Sequence, residues 1–194
     1  MTAQLDRAAD AIRAGELVVY PTETVYGLGA DALDPEAVEN VFAAKVRDRD
    51  DPISMAVPDV ETAAAHVELT DRERRFMEAV LPGPVTVVVE RGPEVPDVLT
   101  GGRDRVGVRI PDHEVALALL DRVAPITATS ANVSGRPSAR RVEDLDQEIA
   151  FVAAEIVDGG RTPGGASTVV DVAAGEIIRE GALADAVREW LDGA

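Results

Sequence analysis

Short runs of β-branched and aliphatic residues recur along the whole chain, and each is followed by a polar, glycine-containing stretch and then by a segment with helical spacing. Leu17-Val18-Val19-Tyr20, residues 53–57, 85–90, 106–110, 125–128, 149–157 and 168–172 have the length and composition of strands. Between them, Leu5, Ala8, Ala9 and Ile12 repeat at helical spacing up to Gly15, a C-cap residue. Asp34-Pro35 pairs an N-cap with proline at the first helical position and opens a helix through Val38, Val41, Phe42 and Lys45. Residues 60–66, 70–80, 113–122 and 182–192 have helical patterns too. Strands and helices interleaved in this way predict an α/β domain. No repeat, low-complexity stretch or linker divides the 194 residues, so a single domain spanning 1–194 is expected.

Composition narrows the chemistry. With no cysteine there is no disulfide, thiolate nucleophile or cysteine-based metal site. The two histidines, His66 and His113, fall in separate segments and suggest no metal cluster. No apolar run is long enough to span a bilayer and the N-terminus lacks a signal pattern, so a cytoplasmic protein with no membrane partner is expected. The 36 acidic against 19 basic residues give a formal charge of −17. A surface so charged repels itself until salt screens it, which suggests a cytosol of high ionic strength. The same charge opposes nucleic acid, so any anionic ligand requires a locally basic pocket.

Lys45 is the only lysine beside eighteen arginines and stands at the end of the helix opened by Pro35, two residues before Arg47. A compact ammonium kept in an arginine-rich chain suits a phosphate or a developing anion. Three further polar, glycine-containing segments follow strands: residues 21–29, 129–135 and 159–168. In open α/β sheets ligands sit beyond strand ends, and these segments supply hydroxyls, amides and backbone N–H groups suited to a polyphosphate. Neither the dinucleotide-binding glycine pattern nor the GxxxxGK[ST] loop is present, nor is Gly-x-Ser-x-Gly. Ser130 and Asn132 also have an ordinary reading as turn or capping residues, and Thr22 and Thr24 as strand-edge threonines.

Pro21-Thr22-Glu23-Thr24-Val25-Tyr26-Gly27-Leu28-Gly29, Lys45-x-Arg47, Pro82-Gly83-Pro84-Val85-Thr86, Val108-Arg109-Ile110-Pro111, Thr129-Ser130-Ala131-Asn132-x-Ser134-Gly135, Ser167-Thr168-Val169 and Arg179-Glu180-Gly181 stand in one order along the chain. In these segments the sequence resembles the YrdC-like family, the threonylcarbamoyl-AMP synthases. The resemblance implies a twisted, open, mixed sheet flanked by helices, with a large concave basic cavity. It implies a nucleotidyltransferase that uses L-threonine, bicarbonate and ATP with Mg2+, releases pyrophosphate, and feeds a threonylcarbamoyl transferase complex that modifies tRNA beside the anticodon. By the same resemblance Lys45, Arg47, Ser130 and Asn132 form the catalytic tetrad around nucleotide and carbonate. Thr22, Arg109 and Ser167 hold threonine, and Ser138 and Arg179 join Lys45, Ser130 and Asn132 at the nucleotide, with Arg105 a further candidate there. The chain departs from the family pattern at Asp48, where proline is common, and at Ala56, where many members carry histidine. Two other roles known for similar domains, carbamoyl-adenylate formation and RNA binding, are the alternatives; the net charge opposes the second.

Overall fold

A computed structural model describes residues 1–193. In chain order the elements are α1 (Thr2–Arg13), β1 (Leu17–Tyr20), β2 (Gly27–Gly29), α2 (Pro35–Lys45), β3 (Ser54–Ala56), α3 (Val60–Ala64), β4 (Val67–Glu68), α4 (Asp71–Val80), β5 (Val85–Arg91), α5 (Asp97–Thr100), β6 (Arg105–Arg109), α6 (Glu114–Leu120), β7 (Ile126–Ser130), α7 (Gln147–Val152), β8 (Ala153–Ile156), β9 (Thr168–Asp171), β10 (Glu176–Arg179) and α8 (Ala184–Gly193). The strands join in one mixed sheet of order β10-β9-β5-β6-β3-β7-β2-β1-β8, with β4 added on β5. The β1–β8, β3–β6 and β5–β9 pairs are parallel and the remainder antiparallel. This is the expected α/β class.

Side chains alternate across the sheet with period two, and the two faces have different fates. One face carries Leu17 and Val19, Met55, Val85, Val87 and Val89, and Val106 and Val108 into the larger core, which α2, α4 and α8 help to close. Two of those helices are fixed by their first turns. Asp34 accepts from the Glu36 N–H with Pro35 behind it, and Thr70 and Glu73 form a reciprocal capping box. The other face carries Val18, Tyr20, Ala56 and Ile126 into a smaller core with α1 and α6.

Those two helices cover only part of their face, packing on Val18 and Tyr20 of β1, Ala56 of β3 and Ile126 of β7. Beyond them the same face, with Gly27, Ser54, Thr86, Val88, Arg105, Gly107, Arg109, Ala128 and Val169, lines an open cavity. The cavity described below is that uncovered half-face.

Three local features differ from the sequence reading. The run 149–157, expected as one strand, is α7 followed by β8: Ile149 at one end and Val157 at the other are buried, while Phe151 between them is 90% exposed, so the stretch does not lie as one strand in the core. Residues 27–29, expected as loop, are a strand pairing β1 with β7. Its glycines lack the usual strand signal, but a Cβ on Gly27 would lie 2.9 Å from the Tyr20 ring, so the close approach of the two strands requires glycine there. Residues 176–179, left outside the expected strands, pair with β9 as β10.

Candidate functional site

A concave cavity of about 920 Å³ opens on the half-face that α1 and α6 leave bare. Its floor is made of small residues, Gly27, Ser54, Ala56, Gly107 and Ala128, drawn from four strands. Gly107 is sterically obligatory: a Cβ would meet Ser54 Oγ at 2.3 Å and Thr86 Cγ2 at 2.9 Å. Around this floor stand Arg47, Arg103, Arg105, Arg109 and Arg179, with Asp104 and Asp171. Five guanidinium groups against two carboxylates make the lining cationic on a protein of formal charge −17.

Most of the residues anticipated for a ligand converge here. Thr22, Arg47, Arg105, Arg109, Ser130, Ser138, Ser167 and Arg179 all line the cavity. Thr22 Oγ1 donates to the Val25 carbonyl at 2.7 Å and receives the Thr24 N–H at 3.2 Å, which shapes the 21–26 turn. Arg109 Nη2 donates to Glu23 Oε1 at 2.7 Å and to Thr24 Oγ1 at 2.9 Å. Arg47 is steered by the carbonyls of Asp51 and Pro52, both at 3.1 Å. Arg179 Nη2 donates to both the carbonyl and the hydroxyl of Ser167 at 3.0 Å. Burial, then the nearby charges of Arg109 and Arg47, lower the pKa of Arg179.

Arg105 is differently employed. Its Nη2 contacts Asp171 at 3.0 Å, the Val88 carbonyl at 2.6 Å and, more distantly, Glu73 at 3.5 Å, so its charge is already matched within the protein.

Lys45 and Asn132 do not line the cavity. Val46, in the left-handed region at φ 48°, ends α2, and Lys45, the last helical residue, falls on the buried face with Val38, Val41 and Phe42. The Lys45 side chain is 1% exposed, and its ammonium donates to the carbonyls of Ser130 and Asn132, the latter at 2.8 Å. The Lys45 carbonyl in turn accepts the Ser134 N–H at 2.8 Å. Asn132 Nδ2 donates to the Val133 and Arg136 carbonyls at 3.0 and 2.8 Å, while Oδ1 is buried without a partner. The pair therefore braces the turn that presents Ser130, and a lysine expected to meet phosphate directly stands one layer behind it. Burial, with Arg47 adding and Asp146 partly offsetting, pushes the Lys45 ammonium down to about 8 from 10.5.

Arg103, Asp104 and Asp171 are cavity residues that the sequence reading did not single out. The alternation of β6 and β9 held the signal for Asp171, which shares a face with Val169. Among the described residues no group of three or more His, Asp or Glu is placed to hold a metal ion, and no helix is long and apolar enough to cross a membrane.

The family model described as "Telomere recombination", Sua5_yciO_yrdC, matches residues 10–181. The chain belongs to the Sua5/YciO/YrdC family. It is similar to the threonylcarbamoyl-AMP synthase of Pyrococcus abyssi, 42% identical over 168 residues, which are 85% of this chain and 49% of that protein. The threonylcarbamoyl-AMP synthase of Yersinia enterocolitica is 33% identical over 186 residues, 92% of this chain and 96% of that one. The chain thus spans about half the length of the first relative and nearly all of the second. Among solved structures, Pyrococcus abyssi Sua5 complexed with L-threonine superposes with a TM-score of 0.83 at 40% identity, over 91% of this chain and 54% of that one. Escherichia coli YciO has the same TM-score of 0.83 at 24% identity, over 94% and 91% of the two chains, and shares the fold.

Proposed function

We propose that this chain is an L-threonylcarbamoyl-AMP synthase. Threonine's amine takes up carbon dioxide from bicarbonate as a carbamate, a carbamate oxygen attacks the α-phosphorus of ATP, and pyrophosphate departs. The observation that carries this reading is the arginine-lined cavity in a chain 40% identical to a protein solved with L-threonine. Arg109, braced by Glu23 and Thr24, offers the planar fork for the amino-acid carboxylate, with Thr22 and Ser167 beside it. Arg47, Arg179, Ser130 and Ser138 surround the phosphates, where positioned donors and cations stabilise charge spread over phosphoryl oxygens. Lys45 and Asn132 serve the same step by holding the Ser130 turn.

Magnesium accompanies ATP in this reading, and the donor set fits an ion carried on the phosphates: Mg2+ is commonly held by one or two carboxylates plus substrate oxygens. Asp104 is the cavity carboxylate outside any ion pair among the described residues. The product passes to a separate transferase complex that modifies tRNA, so the chain itself needs no contact with RNA.

Incubation with L-threonine, bicarbonate and Mg-ATP in molar potassium chloride tests the reading. Pyrophosphate release should require both threonine and bicarbonate, and serine should be used roughly 10- to 200-fold less well, the worth of one methyl group in a shaped pocket. ATP turnover that is indifferent to threonine would refute it.

A further inference from the structure

The cations of the cavity are not equivalent. Arg47, Arg103 and Arg179 hydrogen-bond only to carbonyl and hydroxyl oxygens among the described residues, so their charges are uncompensated. Arg109 is paired with Glu23 at 2.7 Å, and both side chains are nearly buried, at 13% and 12% exposure. The pair is incompletely satisfied: Arg109 Nε and Glu23 Oε2 are buried without partners. Natural interiors rarely leave two such atoms in one ion pair without a functional reason.

We propose that Glu23 is a positioning and specificity residue that divides the cavity into two electrostatic compartments. Resting on the synthase reading above, this assigns the Arg109–Glu23 pair, whose net charge is zero, to a zwitterionic amino acid whose net charge is also zero. A polyphosphate gains nothing from a neutral pair and goes to Arg47 and Arg179. Glu23 performs the division in two ways. Its contact through Oε1 fixes the plane of the guanidinium, leaving Nη1 for the substrate carboxylate, and its charge cancels the attraction that would draw phosphate to the same fork. Burial strengthens both effects, because screening by water is weak there.

The two roles separate under two substitutions. Glu23→Gln removes the charge and Glu23→Asp keeps it while withdrawing the carboxylate by one methylene. Calorimetric titrations with L-threonine and, separately, with inorganic pyrophosphate are compared with wild type on protein whose melting transition is retained. Glu23→Gln should bind threonine about 10-fold or more weakly and pyrophosphate roughly 3- to 10-fold more tightly. Glu23→Asp should lose threonine affinity with pyrophosphate binding unchanged, and it decides the matter alone if the glutamine variant does not fold. Unaltered threonine affinity in the folded variants, or no gain in pyrophosphate affinity in Glu23→Gln, overturns the inference while leaving the synthase reading in place. Failure of the wild-type protein to bind threonine overturns both.

Discussion

Lys45→Met keeps the length of a buried side chain and removes its charge, so it isolates what the ammonium does. The folded pKa of Lys45, about 8, lies below the 10.5 of an exposed lysine. Between those values the unfolded chain retains a proton that the folded chain has released, and stability must therefore rise with pH. Below about pH 8 both states are protonated and the full cost of the buried charge, roughly 3 kcal/mol, is present. With these two values, wild-type stability should gain about 2 kcal/mol between pH 8 and pH 10 from this residue alone. Tyr20 and Tyr26, whose pKa values burial raises, act in the opposite sense only above about pH 10, which bounds the window. In the methionine variant the gain should vanish. At neutral pH its net effect should be small, because relief of the buried charge offsets the loss of partners for the Ser130 and Asn132 carbonyls, roughly 1–3 kcal/mol each. Urea denaturation from pH 7 to 10 at constant potassium chloride reads the difference. Parallel pH profiles for the two proteins would refute the argument.

Gly107→Val should cost about 1–3 kcal/mol and, on the synthase reading proposed above, sharply weaken ATP binding, measured by melting and titration, since even a Cβ would come within 2.3 Å of Ser54 Oγ at the cavity floor. Val46→Gly should stabilise by up to about 1 kcal/mol in chemical denaturation, because a 75% exposed valine gives up little packing while a left-handed residue is relieved of strain. Tyr26→Phe removes a hydroxyl that donates to the Gly160 carbonyl at 2.7 Å and receives the Gly159 N–H at 3.2 Å; amide exchange should quicken across residues 158–165 with a loss of roughly 1–2 kcal/mol. The melting temperature should climb as potassium chloride is raised from about 0.1 to 1 M and the Debye length contracts from ~10 to ~3 Å; a flat or falling curve would dissociate the −17 charge from stability.

What the sequence disclosed and what it withheld follow physical lines. The isolated lysine, its helix and the neighbouring arginine were legible, because composition and capping are local: α2 begins on Pro35 and ends on Lys45 as the Asp34-Pro35 signal implies. The spacing of Val38, Val41, Phe42 and Lys45 placed the lysine on the buried face of its helix, but its capture by the Ser130 and Asn132 carbonyls was not legible, because they lie 85 and 87 residues further along the chain. The glycine strand of residues 27–29 was hidden because its reason is the Tyr20 ring on another strand. The run of residues 149–157 misled because helix and strand share apolar residues over short stretches, and burial, which chooses between them, is tertiary. The cavity arginines were partly recoverable from the alternation in β6, where Arg105, Gly107 and Arg109 share a face opposite Val106 and Val108. Which of those arginines is already neutralised was set by Glu23, Glu73 and Asp171, all three on segments distant in sequence.

The floor and walls of the cavity come from eight of the ten strands, with β1, β2, β3, β5, β6, β7, β9 and β10 each giving at least one residue. No contiguous fragment of the chain contains the site, and β9, near the C-terminal end, sits beside β5 from the middle. A complete binding surface therefore requires the assembled sheet. A ligand held in the cavity then acts as a thermodynamic lock on the completed sheet, adding RT ln(1 + [L]/Kd) to its stability.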